Sequence, residues 1–119
     1  MRMWSVNPRI MCSQHLLGEH MEMHMFAGVI NKERNIQGFI NNHLVEVDHI
    51  GSRHDELVKE MESRGYHHKS PIAEISYDGL TYPGFVDRVE SMKLLLHRCS
   101  KCRDLAFKIK CRKMNDGKR

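Results

Sequence analysis

Apolar residues recur at helical spacing in three stretches of the chain, and this periodicity constrains the fold most strongly. The stretches are residues 13–31, 52–64 and 85–98, and the last either ends there or continues to about residue 110. The segments between them hold Asn, Gly and Pro residues, which favour turns over regular structure. At 119 residues the chain has the usual size of one domain. We therefore predict an all-α fold, a single compact domain (1–119) of about three helices with long irregular connections.

Local sequence features set the expected ends of these helices. We expect Ser13 to cap the first helix, in which Gly18 and Gly28 suggest the close approach of another group. Ser52 and Asp55 form a capping pattern for the second helix, and Gly65 is its predicted stop. Residues 44–47 resemble a short strand, and turn pairs occur at 70–71, 78–79 and 83–84. The expected apolar face of the third helix consists of Phe85, Val89, Met92 and Leu96, widened by Leu94 and Leu95.

Basic residues concentrate at the carboxyl end. Residues 98–119 contain nine basic and two acidic side chains, a formal charge of +7, whereas the first 97 residues carry −3. Such a split suggests a polyanionic partner, most often nucleic acid, although a solvated tail has the same composition. Leu105, Phe107 and Ile109 alternate with the bases, so this segment suits a phosphate-binding helix, a core helix or both.

Several classes of protein are excluded by what the sequence lacks. No apolar run approaches the ~18 residues of a membrane span, and the first residues do not resemble a signal peptide. Four cysteines are too few for a secreted disulfide scaffold. We expect a cytoplasmic, nucleoid-associated protein or a phage-encoded protein in the host cytoplasm.

The amino-terminal residues resemble a known family. Arg2 stands in an M-R-x-W-S opening, Gln14-His15-Leu16 follows, and Glu22 lies eight residues after Gln14. Residues 56–66 add a second match, which ends in Arg64-Gly65-Tyr66. In this order and spacing, the first 66 residues or so resemble the pyrimidine-dimer DNA glycosylases, small phage and bacterial repair enzymes.

The resemblance implies a mechanism for the amino terminus. In the family, the α-amine of the first residue attacks the sugar C1′, expels the base and leaves an imine, and β-elimination then cuts the strand. The corresponding amine here belongs to Met1, which we expect to be retained because Arg2 is large. Glu22 occupies the position of the carboxylate that transfers protons and stabilises the positive charge on the sugar and imine.

Other residues near this end are candidates for the same site, each with a plainer alternative. Arg2 is expected to bind a phosphate or pair with Glu22, and His15 to orient Glu22 or to pack in the core. Gln14, Trp4 and His24 are candidate DNA contacts, although a core position is the favoured alternative for Trp4. In the basic segment the expected phosphate contacts are Lys108, Lys110 and Arg112.

The chain departs from the family beside the carboxylate. Met21 and Met25 stand where the dimer-specific enzyme has arginines that hold phosphates and the carboxylate. The aromatic and lysine-rich carboxyl segment of that enzyme is also absent. The lesion therefore stays open among pyrimidine dimers, another damaged base and abasic sites.

Two groups of residues suggest metal binding, which we weigh against ordinary packing. His97, Cys99, Cys102 and Cys111 form H-x-C-x2-C-x8-C, in which the distant Cys12 is an alternative fourth zinc ligand. His20 and His24 surround Glu22 as H-x-E-x-H, but Glu22 points to another side of the helix. The favoured interpretation is that neither group binds metal, and the remaining histidines are expected in solvent: His43, His49, His54, His67 and His68.

Together these observations predict a DNA repair glycosylase with abasic-site lyase activity. It would act as a monomer on damaged double-stranded DNA, with no cofactor and no membrane contact. The alternative is a non-catalytic nucleic-acid-binding module, with zinc on the C-x2-C segment as a stabilising element.

Overall fold

Helices account for all the regular secondary structure in the described part of the chain. The structure is a computed structural model that describes residues 1–75 and 82–116, with side chains to Arg112. Within these residues there is no strand, so the all-α prediction is confirmed. The helices are α1 (Ser13–Asn31), α2 (Gln37–Asn41), α3 (Ile50–Ser63), α4 (Arg88–Arg98) and α5 (Ser100–Asp116), with short 3-10 turns at Pro8–Ile10 and Val47–His49.

The first helix has the predicted bounds but a different capping residue. Cys12 is the capping residue, with extended backbone and no side-chain cap hydrogen bond, so the expected cap at Ser13 is wrong by one position. A Cβ on Gly18 or Gly28 would meet no atom of another element within 4 Å. The expected close approach of another helix at these glycines is therefore also wrong.

The helix α3 begins slightly earlier than predicted and ends as expected. It starts at Ile50, and Gly65 follows its carboxyl end with a φ of +91°, a conformation that favours glycine. Leu57 and Met61 face the core. The strand expected at residues 44–47 is absent, since this stretch leads directly into the 3-10 turn.

The third predicted helix is divided into α4 and α5. Cys99 adopts extended backbone between them, and its N–H still donates to the Leu95 carbonyl. The helix α4 begins at Arg88 and is capped by Asp87, so Phe85 precedes it. Both Phe85 and Val89 are exposed and do not form the apolar face that was expected. Leu95 and Cys102 are fully buried, one on each side of the break.

The amino-terminal segment runs through the core and does not hang free. Met3, Trp4, Val6 and Met11 are buried with the apolar faces of α1 and α3. The amide of Met3 donates to the Leu44 carbonyl at 2.6 Å. These contacts hold the first residues against α1, which determines where the chain begins relative to that helix.

A buried ion pair joins α1 to α3. The guanidinium of Arg53 donates to both carboxylate oxygens of Glu19, at 2.6 and 2.8 Å, and to the Val6 carbonyl at 2.7 Å. Glu56 adds a second carboxylate on the more exposed side. The pair therefore fixes the two helices and the amino-terminal segment together.

The segment before α4 closes against residues 45–47. The amide of Val47 donates to the Pro83 carbonyl at 2.8 Å, and Gly84 has a φ of +94°. A Cβ on Gly84 would overlap the Val45 carbonyl oxygen, so this turn requires glycine.

Some predicted features fall outside the described residues, namely the turn at residues 78–79 and the last three residues of the basic segment 98–119. In the described part of the chain, no helix is both long and apolar enough to cross a membrane.

Candidate functional site

The amino terminus lies beside Glu22. The amide nitrogen of Arg2 donates to the Oε2 atom of Glu22 at 3.2 Å, between positions 20 residues apart in the sequence. The α-amine of Met1 is joined to that amide nitrogen by three covalent bonds with a combined length of about 4.3 Å. Met1 and Glu22 are both half-buried. The structure thus brings together an amine and a carboxylate at a partly enclosed position.

Arg2 is held in place by α4 and by the core. Its guanidinium donates to the Ser91 hydroxyl at 3.1 Å and stacks on the Trp4 ring, 3.9 Å from the ring centroid. Burial and then the nearby Arg98 lower the pKa of Arg2, against the opposing effect of Glu19 and Glu22. The Ser91 hydroxyl in turn donates to the Trp4 carbonyl at 2.5 Å. The backbone that carries the amine is therefore rigidly supported.

Trp4 and His15 occupy different places from those expected for a DNA contact and a catalytic group. Trp4 is 7% exposed, covered by Arg2 and by an edge contact from His15, so its ring is not free to stack on a base. His15 lies two turns from Glu22, about 10.5 Å along the helix axis. Its Nδ1 atom contacts the Cys12 sulfur at 3.1 Å, so it does not orient Glu22.

Three cysteines and this histidine converge. Cys12, His15, Cys99 and Cys102 place one donor atom each within 4.8 Å of the others. The Cys12 and Cys99 sulfurs are 3.8 Å apart, and burial raises the pKa of the Cys102 thiol to about 12. Of the candidate ligands named from the sequence, Cys99, Cys102 and the alternative ligand Cys12 lie in this cluster, whereas His97 and Cys111 lie outside it.

A second cluster consists of four histidines. One ring nitrogen from each of His20, His24, His54 and His68 lies within 4.8 Å of the other three. Burial, followed by the other three rings, lowers the pKa of His20 to about 4. Burial also lowers the pKa of His24, followed by His54 and His68. His24 thus faces other histidines and is not placed as a DNA contact.

Sequence reasoning missed this histidine cluster. His54 was expected in solvent, but it is 2% exposed, and His68 is half-buried. The pair His20 and His24, four residues apart on α1, was the available clue. The other two members come from α3 and from the segment after it, and their approach depends on how α1 packs against α3.

The remaining candidate DNA contacts lie at the surface. Gln14 is exposed near the start of α1, and Lys108, Lys110 and Arg112 are exposed along α5. Next to Glu22, Met21 and Met25 are also exposed, at 57% and 48%. A separate cleft of about 560 Å³ is lined by Ser5, Glu46, Arg53 and Arg88 among others, but by neither Met1 nor Glu22.

These features define a small all-α protein with an amino-terminal amine beside a helix carboxylate. The sequence profile described as pyrimidine dimer DNA glycosylase matches residues 1–74, more than half of the chain. The chain belongs to this DNA repair family, and the suspected resemblance is confirmed. Searches of curated proteins and of solved structures found no match.

Proposed function

We propose that the protein excises damaged bases from double-stranded DNA and cuts the resulting abasic site through an imine on Met1. The family membership supports a DNA glycosylase. The observation that carries the finer proposal is the hydrogen bond from the Arg2 amide to Glu22, because it keeps the Met1 amine near a carboxylate. An amine and a carboxylate are the two groups that this chemistry needs.

The first step makes the imine. The neutral α-amine attacks C1′ with its lone pair, and the bond from C1′ to the base breaks, so the base leaves with that electron pair and is protonated. The attached nitrogen gives up one proton to solvent, and its lone pair forms a second bond to C1′. The ring oxygen leaves C1′ with the electrons of its bond and takes a proton from solvent, which gives the protonated imine. Only the neutral amine has the free lone pair that this attack requires.

The second step cuts the strand. Glu22 removes a proton from C2′, a double bond forms between C2′ and C3′, and the 3′ phosphate leaves with the electrons of its bond. Water then hydrolyses the imine and frees Met1. The carboxylate also stabilises the positive charge on the imine, which it can approach because it already accepts from the neighbouring amide.

Arg2 acts in this proposal as a positioning residue. Its contacts with Ser91 and Trp4 hold the backbone on which the amine is carried.

The duplex is expected to lie along the exposed bases of α5. Lys108, Lys110 and Arg112 would contact phosphates, with Gln14 near the start of α1. The enzyme acts as a monomer in this proposal, and the damaged nucleotide must leave the stack to reach the amine.

Borohydride trapping tests the nucleophile. The full chain is incubated with ultraviolet-irradiated or abasic duplex and borohydride, which reduces an imine to a stable adduct. We expect a covalent adduct that peptide mass spectrometry assigns to Met1. Acetylation of the amine, or one added residue before Met1, should abolish trapping.

Two results would contradict the proposal. Undiminished trapping by the acetylated chain would place the nucleophile elsewhere. Salt-sensitive DNA binding with neither adduct nor strand break would favour a non-catalytic DNA-binding protein.

A further inference from the structure

The four-histidine cluster has the geometry of a metal site. The Nε2 atom of His24 lies 3.1 Å from that of His54 and 3.3 Å from that of His20. Metal–nitrogen distances of about 2.0–2.1 Å in a tetrahedron place neighbouring ligand nitrogens about 3.3–3.4 Å apart. These two separations are close to that edge length, and one nitrogen from each of the four rings lies within 4.8 Å of the others, which is the spacing of a site for one ion.

Hydrogen bonding alone does not satisfy these nitrogens. The Nδ1 atom of His54 lies 3.0 Å from the Asp55 carboxylate, which only accepts, so Nδ1 carries the proton and Nε2 is left with its lone pair. A single N–H on His24 cannot point at both His54 and His20. The Nε2 atom of His68 is buried without a hydrogen-bond partner among the described residues.

We propose that His20, His24, His54 and His68 bind one divalent transition-metal ion, with Zn²⁺ as the reference ion. Neutral imidazole nitrogen is a preferred ligand of such ions. The Asp55 carboxylate completes the arrangement, because a metal-bound histidine usually donates its other ring nitrogen to such a partner. This inference goes beyond the proposed glycosylase activity and does not depend on it.

The ion would act as a structural clamp. Four protein ligands leave no open position for substrate, which is typical of structural and not catalytic zinc. Two ligands come from α1, one from α3 and one from the segment that follows α3. The ion would therefore fix residues 64–75 against the pair of helices.

A matched pair of variants tests the clamp. His68 is in the cluster and the adjacent His67 is exposed outside it, and neither lies in a helix. The full chain is stripped with a chelator, reloaded with Zn²⁺, and its bound metal is measured by elemental analysis. We expect His68→Ala to bind one equivalent less than wild type and His67→Ala to bind the same amount.

Thermal melting separates a lost ligand from a lost fold. Zn²⁺ should raise the Tm of the stripped wild type and of His67→Ala, and should raise that of His68→Ala less. Equal zinc content and equal Zn²⁺-induced shifts in the two variants would overturn the proposal. If His68→Ala does not fold, Co²⁺ is added to the stripped wild type instead. A Co²⁺ spectrum with no sign of an ion bound by ligands other than thiolates would overturn the proposal.

The cysteine cluster independently supports a second site. A tetrahedral ion with metal–sulfur distances of about 2.3 Å separates two sulfurs by about 3.8 Å, and the Cys12 and Cys99 sulfurs are 3.8 Å apart. The Nδ1 atom of His15 lies 3.1 Å from the Cys12 sulfur and 3.7 Å from the Cys102 sulfur. Mixed sulfur–nitrogen edges of about 3.6 Å are expected.

Two backbone amides donate hydrogen bonds to these sulfurs. The amide of Cys12 donates to the Cys102 sulfur at 3.2 Å, and the amide of Cys102 donates to the Cys99 sulfur at 3.4 Å. These hydrogen bonds hold the two sulfurs in place beside the other ligands. The extended residue Cys99 between α4 and α5 turns the two carboxyl-terminal ligands towards α1.

We infer that Cys12, His15, Cys99 and Cys102 bind one Zn²⁺ ion. The three thiols release their protons to solvent on binding. This ion would fasten the start of α1 to the junction of α4 and α5, across 87 residues of sequence. It would thereby support the segment that carries Met1.

Cobalt spectroscopy tests the cysteine site apart from the histidine site. Only thiolate ligands give the near-ultraviolet charge-transfer band of Co²⁺. The variant Cys99→Ser should lose about a third of this band. It should also bind Co²⁺ more weakly, by more than the roughly 10–100-fold loss that follows removal of a group that only hydrogen-bonds to a metal ligand. Cys111→Ser, outside the cluster, should behave as wild type. Absence of the band in wild type, or equal spectra for the two variants, would overturn the inference.

Discussion

The two sides of α1 carry different chemistry although their residues alternate in the sequence. Glu22 turns to the amino terminus and accepts a hydrogen bond from Arg2. His20 and His24, two residues away in each direction, turn to α3 and meet His54. Residues two apart on a helix point about 200° apart. The residues of the motif H-x-E-x-H are therefore divided between two sides of one helix.

The difference between the two sides lies in what surrounds them. The Glu22 side is bordered by exposed Met21 and Met25 and retains access to solvent. The histidine side is enclosed by α3 and by residues 64–75, and its ring nitrogens face one another. We therefore expect substitutions on the first side to change catalysis, and substitutions on the second to change metal binding and stability.

The largest expected effect is on catalysis. Glu22→Gln should lower base excision on the order of 10²–10⁴-fold, because the side chain loses its capacity to accept a proton. The measurement is excision and strand cleavage on damaged duplex, with DNA binding and zinc content unchanged. Glu62→Gln, exposed on α3, serves as the control. Excision by Glu22→Gln at the wild-type rate would contradict the role of Glu22. Loss of zinc from Glu22→Gln would show that the two sides of α1 do not act independently.

The next largest effect is on stability, through the buried ion pair between α1 and α3. Arg53→Met leaves the buried Glu19 carboxylate without its partner, so the free energy of unfolding should fall by about 3–5 kcal/mol. Chemical denaturation measures this change. Lys93→Met, which breaks an exposed pair with Glu90, should cost about 0–1 kcal/mol. Similar losses in the two variants would mean that the buried pair does not fix α1 to α3.

A smaller effect is expected from added charge on the Glu22 side. Met25→Arg should raise the affinity for duplex DNA on the order of tenfold at low salt and steepen the salt dependence by about 0.9 log units per contacted phosphate. Fluorescence anisotropy over a range of salt concentrations measures both quantities. Met25→Gln controls for polarity without charge. An unchanged salt slope in Met25→Arg would place the duplex away from this side.

The smallest effect lies away from both sides of α1, at Glu46. Burial alone would raise the pKa of Glu46, but hydrogen bonds from Val86 and His49, with Arg88 nearby, lower it overall. The pKa of Glu46 is lower in the folded than in the unfolded protein. The stability that ionised Glu46 contributes is therefore present above its unfolded pKa and is lost as pH falls through its folded pKa.

The matching variant is Glu46→Gln. It should cost about 1 kcal/mol at neutral pH and should flatten the acid-side loss of stability. Urea unfolding at several pH values measures this, with the exposed Asp48→Asn as control. A wild-type acid profile in Glu46→Gln would assign the acid response to other groups.

The sequence predicted the helices better than the contacts between them. The bounds of α1 and the stop at Gly65 follow from local periodicity and backbone preference, and both are observed. The end of the third helix at Arg98 was one of two predicted alternatives. A continuation to about Lys110 stayed open because no Gly or Pro interrupts the periodicity there. The pairing of Arg2 with Glu22 was expected from family resemblance as one of two roles for Arg2. The observed contact uses the Arg2 backbone amide, whereas its guanidinium is directed to Ser91.

The sequence by itself determined the helical character, the basic carboxyl end and the family, because these depend on residue order over short distances. Only the tertiary structure decided which cysteines and histidines meet. Cys12 reaches Cys99, and His24 reaches His54, through the packing of helices that are separate in sequence. Such packing reflects the burial of many apolar side chains at once. No local motif encodes the positions that this burial brings within the few ångströms that a metal ion requires.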